Sequence, residues 1–199
     1  IHLGAGLGDF KIRHNALSEA DYAFLQSRYQ FNQDNSADRI ILTTHNYRAD
    51  AINEAELMRL EGELVQYEAE VHGDFNEKQT PAESNLRLKK GAQVMFLRND
   101  MSGRYYNGKL GVIESLNATQ ITVRDPHSGV LLDLERETWK QIQYIFNRES
   151  GQIEEKIIGQ FVQYPLRLAW AITIHKSQGL TFDKVIIDAG SSFAPGQVY

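Results

Sequence analysis

In the first third of the chain, the pattern of apolar and polar residues changes between a helical period and a pattern typical of a strand. A helical repeat of apolar side chains begins after Ser18, whose hydroxyl suits a helix cap. A continuous β-rich run at 39–44 then predicts a buried strand, and a second helix is expected from a cap at Asn46 to a stop near Gly62. A buried strand, a polar turn and a helix form the repeating unit of an α/β domain.

The period changes after Pro81. Five short β-rich runs follow, separated by turn signals such as Asn107-Gly108, and they span 93–98, 109–116, 120–124, 130–134 and 139–146. Strands spaced by roughly 8–12 residues predict a small antiparallel barrel rather than further α/β units.

The α/β character returns at Pro165. An apolar segment at 166–174 leads into a polar turn at 176–179, and a buried strand is predicted at 185–188. The pattern as a whole therefore predicts an α/β domain that is interrupted by a β-barrel insertion.

The amino-acid composition excludes several classes of protein and of functional site. The 199 residues include no cysteine, which excludes disulfides, thiolate zinc sites and cysteine nucleophiles. The six histidines include no pair at helical spacing, so a histidine metal site has no local support, and we expect no metal. No apolar run approaches the roughly 18 residues of a membrane helix. We expect a cytoplasmic protein, associated with the nucleoid if bacterial, and no membrane partner.

Charge is unevenly distributed, although the net charge is only −5. Ten acidic side chains accompany two basic ones between 50 and 83, whereas six basic side chains accompany one acidic one between 86 and 112. This swing predicts one face that binds an anion and another turned away from it, the alternative being two ordinary solvated surfaces.

Two segments are candidates for phosphate binding by their local pattern. The glycines between Gly4 and Asp9 do not form GxGxxG and do not follow a strand, and no GxxxxGK[ST] occurs in the chain. The turn of Thr43, Thr44, His45 and Asn46 is different, because it closes a predicted buried strand and opens a helix, where anions bind readily. Simple helix capping by Asn46 is the alternative.

The strongest motif lies between two apolar segments near the end of the chain. It reads Thr173-Ile174-His175-Lys176-Ser177-Gln178-Gly179. This run resembles motif V of superfamily-one helicases, specifically the 5′-to-3′ branch of RecD-like and petite-integration-frequency helicases.

The resemblance extends over 39–199 and implies a fold. The segment 41–46 with 50–53 resembles motif IV, and 86–96 with 106–113 resembles the Src-homology-three-like barrel of these enzymes. It implies a RecA-like second motor domain, of the P-loop NTPase type but without the P-loop, at 39–85 and 165–199. The inserted barrel is then 86–164, and 1–38 is the tail of the connection to a first motor domain.

The resemblance also implies roles for individual residues. Gln178 and Gly179 are expected on the ATP side of the cleft between motor domains. The expected contacts to single-stranded DNA are Thr43, Thr44, Asn46, Thr173 and His175 in the motor domain and Arg87, Lys89, Lys90, Arg104, Tyr105 and Lys109 in the barrel. The cations are expected to bind phosphate, and Tyr105 is expected to stack on a base, the alternative for Tyr105 and Tyr106 being packing inside the barrel.

Several parts of the helicase pattern are absent from the 199 residues. There is no Walker loop, no acidic magnesium motif and no motif VI Ser-Arg pair after Tyr199. We therefore expect a C-terminal piece of an ATP-dependent DNA helicase, with ATP and Mg bound mainly through the missing first motor domain, none tightly bound by this piece, and no activity alone. The alternative is a non-enzymatic module whose barrel binds an oligonucleotide or a peptide, which leaves motif V without a role.

Overall fold

The computed structural model describes residues 16–28, 39–76, 80–147, 151–182 and 184–188. The chain divides into two compact units, one of Ile1–Ala51 with Ala171–Tyr199 and the other of Ile52–Trp170. The glycine-rich segment from Gly4 to Asp9 lies outside the described residues.

The elements alternate as the hydrophobic pattern predicts at both ends of the chain, with a run of strands between them. In chain order they are α1 (Glu19–Arg28), β1 (Ile40–Thr43), α2 (Asn46–Arg59), β2 (Val65–Glu68), β3 (Glu70–Gly73), β4 (Asn85–Leu88), β5 (Gln93–Phe96), β6 (Leu110–Leu116), β7 (Ile121–Arg124), β8 (Leu131–Leu134), β9 (Glu137–Asn147), β10 (Gln152–Gln163), β11 (Leu166–Leu168), β12 (Ala171–Thr173), α3 (Ile174–Ser177) and β13 (Val185–Asp188).

The first unit contains a three-stranded parallel sheet in the order β12-β1-β13. The predicted strand at 39–44 is β1, and its central position explains its continuous apolar run, because a strand inside a parallel sheet is covered on both faces. The amide of Ala49 donates to the carbonyl of His45. Asn46 is therefore the first residue of α2 rather than its predicted cap, and His45 takes the capping position.

The second unit contains three antiparallel arrangements of strands. Its largest sheet has the order β11-β5-β6-β7-β8, β2 pairs with β4, and β3, β10 and β9 form a third sheet. The five β-rich runs predicted after Pro81 fall on β5 to β9. Apolar side chains of β4 to β8 and β11, with Tyr67 and Tyr164, form one buried cluster.

The limits of the compact units differ from the predicted domain limits of 39–85, 86–164 and 165–199. Three segments predicted for the motor domain pair with strands of the second unit: β2 with β4, β3 with β10, and β11 with β5. Strands that join a sheet from outside an insertion have the same local pattern as strands inside it, so the sequence does not distinguish them. Of the predicted connecting segment 1–38, the structure describes only 16–28, which contains α1.

A buried glutamine connects three segments of the second unit. The side chain of Gln163 is fully buried at the end of β10, and its Nε2 donates to the carbonyls of Tyr67, at 2.8 Å, and Glu83, at 3.1 Å. Its Oε1 accepts the backbone N–H of Tyr164 at 2.9 Å. Each of these backbone groups needs a partner because buried polar groups without hydrogen bonds are costly.

We therefore expect Gln163→Met to lower the free energy of unfolding by about 2–4 kcal/mol, because a side chain of similar length leaves two carbonyls and one N–H without this partner. Urea denaturation of both chains measures the difference. The matched control is Gln143→Met, at an exposed position of β9, which should be nearly neutral. Similar losses in both variants would contradict a special role for Gln163.

Candidate nucleic-acid interface at the carboxyl edge of the parallel sheet

The parallel register brings three distant residues to one edge of the sheet. Thr43, the last residue of β1, lies opposite Thr173 on one side and Asp188 on the other. All three strands therefore end at the same level, and the segments that follow β1 and β12 begin side by side. In open parallel sheets, ligands bind outside this carboxyl edge.

The three predicted threonines at this edge are buried. Thr43 is 0% exposed, Thr44 6% and Thr173 4%. The hydroxyl of Thr43 accepts the backbone N–H of His45 at 3.4 Å, and the hydroxyl of Thr44 lies 2.7 Å from Nδ1 of His45. The side chains of Thr43 and Thr44 thus support the turn after β1, and the predicted contacts of the three threonines with DNA stay predictions.

The other predicted residues of the first unit are exposed. Asn46 opens α2, and His175 lies on α3, immediately after β12. Gln178 follows α3 with an extended backbone, and Gly179 takes a positive φ of 78°, which favours glycine. His175 and Gln178 therefore belong to one short, exposed turn.

An ion pair connects α2 to the last residue of β13. Nη1 of Arg48 lies 2.9 Å from Oδ2 of Asp188. A hydrogen bond with the Tyr47 side chain, followed by the charge of Asp188, raises the pKa of Arg48 above its usual value. Arg48 and Asp188 lie 140 positions apart and carry no shared signal in the sequence, so only the fold reveals this pair.

Two of the predicted DNA-binding cations are held by carboxylates of the second unit. Arg104 donates from Nε and Nη2 to the two oxygens of Asp100, at 3.0 and 2.8 Å. Nζ of Lys109 lies 2.9 Å from Oδ2 of Asp125, and these two side chains are only 20% and 10% exposed. Phosphate binding by either cation must compete with its intramolecular partner.

The remaining predicted cations also have partners within the second unit. Arg87 pairs with Glu54 at 2.7 Å, and Nζ of Lys89 donates to the carbonyl of Leu60 at 2.8 Å. Lys90 is the most exposed of them, with Nζ 4.0 Å from Glu114. Their predicted contacts with DNA stay predictions.

Tyr105 is only 5% exposed, which favours packing, the alternative to its predicted role in base stacking. Its ring is stacked on Phe96 with centroids 4.2 Å apart and an interplanar angle of 16°. Burial raises the pKa of its phenol above the usual value. The next residue along the turn, Tyr106, lies at the surface instead.

Within the described residues, no three histidine or carboxylate side chains converge as a metal site. The helices that the structure describes are also too short or too polar to cross a membrane.

Comparisons with known proteins give one consistent result. A curated ATP-dependent DNA helicase Pif1 from Psychrobacter sp. is 34% identical over 93% of this chain and 35% of its own length. The structure of Bacteroides sp. Pif1 in complex with ADP-AlF4 matches 96% of this chain and 44% of that chain, with 38% identity and a TM-score of 0.86. Bacteroides Pif1 bound to ssDNA matches 96% of this chain and 43% of that chain, with 38% identity and a TM-score of 0.74. No protein-family model matches.

These matches define the class: the chain is related to the ATP-dependent DNA helicases, and its mixed α/β fold is consistent with a RecA-like domain. Within that class it is a homologue of the Pif1 helicases over most of its length. The predicted helicase branch is confirmed. The chain spans less than half the length of the curated relatives it matches, from 35% to 42% of two bacterial ones.

The pairs of Asp100 and Asp125 make the stability of the second unit depend on pH. Hydrogen bonds from Arg104 lower the pKa of Asp100 to about 2, well below its usual 3.8. Burial opposes ionisation of Asp125, but hydrogen bonds from Lys109 and from the turn 127–128 outweigh it and lower the pKa.

A pKa that is lower in the folded chain than in the unfolded chain stabilises the fold above the unfolded value, and this stability is lost as pH falls through the folded value. We expect the stabilisation due to Asp100 to be complete above about pH 4 and to disappear towards about pH 2. As pH falls through this interval, the Tm of Asp100→Asn should decrease less than the Tm of the wild type, as thermal unfolding measures. Asp50→Asn, at an exposed position of α2, is the matched control, and equal pH profiles for all three chains would contradict the prediction.

Proposed function

We propose that the chain is part of the second motor domain of an ATP-dependent DNA helicase, and that its first unit binds the backbone of single-stranded DNA. The observation that carries the proposal is the position of Asn46 and His175. Both are exposed, and each follows a strand that ends at the carboxyl edge where Thr43 and Thr173 lie opposite each other. An amide and an imidazole are suitable donors to phosphate oxygens, and contacts of this kind do not depend on base sequence.

Support for a DNA ligand also comes from the related structures. Bacteroides Pif1 has been solved bound to ssDNA and, separately, in complex with ADP-AlF4. By homology we assign the same two ligand classes, single-stranded DNA and ATP with Mg, to the protein that contains this chain. The missing first motor domain is then both the main ATP site and a partner of the first unit.

Gln178 and Gly179 are proposed for the ATP side of the same turn. His175 and Gln178 are three residues apart, so a small movement of this turn shifts both. A nucleotide-dependent closure that displaces Gln178 therefore moves the DNA contact at His175. This arrangement links ATP turnover to the binding of the DNA strand.

For the second unit we propose the Src-homology-three-like barrel of these helicases, inserted at 86–164 into a motor domain of 39–85 and 165–199. The five-stranded antiparallel sheet supports this proposal. A direct DNA contact by Arg104 or Lys109 has less support, because each is held by a carboxylate.

We expect His175→Ala to weaken binding of the 199-residue chain to a fluorescent single-stranded oligonucleotide roughly tenfold, which corresponds to one hydrogen bond to a charged phosphate. Gln178→Ala, an exposed substitution on the same turn, should leave this affinity unchanged. Fluorescence anisotropy at low salt measures both. Equal effects of the two substitutions would favour a turn that only supports the fold.

The chain alone should hydrolyse no ATP, because it contains no GxxxxGK[ST] loop to hold the phosphates. In the complete helicase, Gln178→Ala should reduce ATP turnover more than DNA affinity. Phosphate release assays with Mg-ATP and single-stranded DNA measure ATP turnover by the chain alone and by the complete helicase. Turnover by the purified 199-residue chain would contradict the proposal and would require another phosphate site.

A further inference from the structure

Tyr47 carries an exposed aromatic ring beside the proposed phosphate contacts. It lies in the first turn of α2, directly after Asn46, and is 65% exposed. An aromatic side chain with this exposure covers little apolar surface of its own protein, so core packing does not explain its position.

The ring of Tyr47 lies against a neighbour that is itself fixed. Its centroid lies 5.3 Å from that of His45, at an interplanar angle of 52°, and the imidazole is in turn fixed by the hydroxyl of Thr44. The next residue, Arg48, is anchored by Asp188, with Nη1 2.9 Å from Oδ2. A side chain that is already oriented loses less conformational entropy when a ligand binds to it.

The surroundings of Tyr47 favour a nucleic-acid base over an apolar protein surface. Asn46, Arg48 and Asp50 beside it on α2 are polar or charged, and the exposed Ala51 adds only one methyl group, so the ring has little apolar surface around it on this helix. Protein docking sites use larger contiguous apolar patches. A base needs only one π-face, with polar groups beside it for the phosphates.

We propose that Tyr47 is a stacking platform for a base of the single strand whose phosphates Asn46 and His175 bind. The inference rests on the proposed function and adds a base contact to the backbone contacts. Stacking on an aromatic ring is tolerant of sequence because every base has a π-face. The contact therefore suits a protein that must bind any strand, and Tyr47 takes the role that the buried Tyr105 does not perform.

The test compares two probes that carry the same phosphates. One is an oligodeoxythymidylate of about 12 nucleotides, and the other is an abasic strand of equal length. We expect Tyr47→Ala in the 199-residue chain to weaken thymidylate binding about 5- to 150-fold, while binding to the abasic strand stays unchanged. The dependence of thymidylate affinity on salt should also stay unchanged, because stacking releases no counterions.

Two variants control for structural effects. Tyr47→Phe keeps the ring and should retain most of the affinity, and Tyr144→Ala removes a ring of similar exposure, 67%, on β9 and should have no effect. Equal thymidylate affinity of the wild type and Tyr47→Ala would overturn the inference and leave the proposed function intact.

The other outcomes are equally decisive. Weaker binding of Tyr47→Ala to both strands would also overturn the inference, because it would indicate a general effect on the site. A wild-type chain that binds neither strand would overturn the inference and the proposed function together. Only a loss confined to the strand with bases supports stacking on Tyr47.

Discussion

The parallel pairing of β1 with two strands from the other end of the chain is the constraint on which the first unit depends. It places Thr43 opposite Thr173 and Asp188, and it makes the ion pair of Arg48 with Asp188 possible across 140 positions of sequence. Because side chains alternate along a strand, a register shifted by one residue would move each of them to the opposite face. The turns after β1 and β12 are neighbours only in the observed register.

Elements with an unambiguous period were predicted well from the sequence. The buried strands at Ile40–Thr43 and Val185–Asp188 and the strands β5 to β9 match continuous or alternating apolar runs, whereas the short strands β2, β3 and β4 were not predicted. The strand Gln152–Gln163 was not predicted, because its first half is exposed and includes the charged run from Glu154 to Lys156. Its pairing with β9 holds it in place, and such cross-strand support leaves no periodic signal in a single sequence.

The distribution of charge along the sequence describes its composition, but it misleads about which charges the surface of the fold presents. The acidic segment 50–83 and the basic segment 86–112 suggested two opposed faces, yet Arg87 of the second segment pairs with Glu54 of the first. Lys109 and Lys90 pair with acids further along the chain, Asp125 and Glu114. Counts of charge cannot reveal these pairs, because the fold decides which charges meet.

The distribution of neutral and charged groups sets the character of the proposed DNA contact. The residues that we assign to the strand, Asn46, His175 and Tyr47, include no lysine or arginine, and the whole chain has a net charge of −5. Without a lysine or arginine, these contacts release few counterions, so the affinity they provide depends little on salt and is modest. Under the function proposed above, the strong electrostatic attraction to the strand comes from the rest of the helicase. Modest binding would also suit the proposed motor domain, which would release and rebind the strand in every ATP cycle, since a contact that is too strong would slow each step.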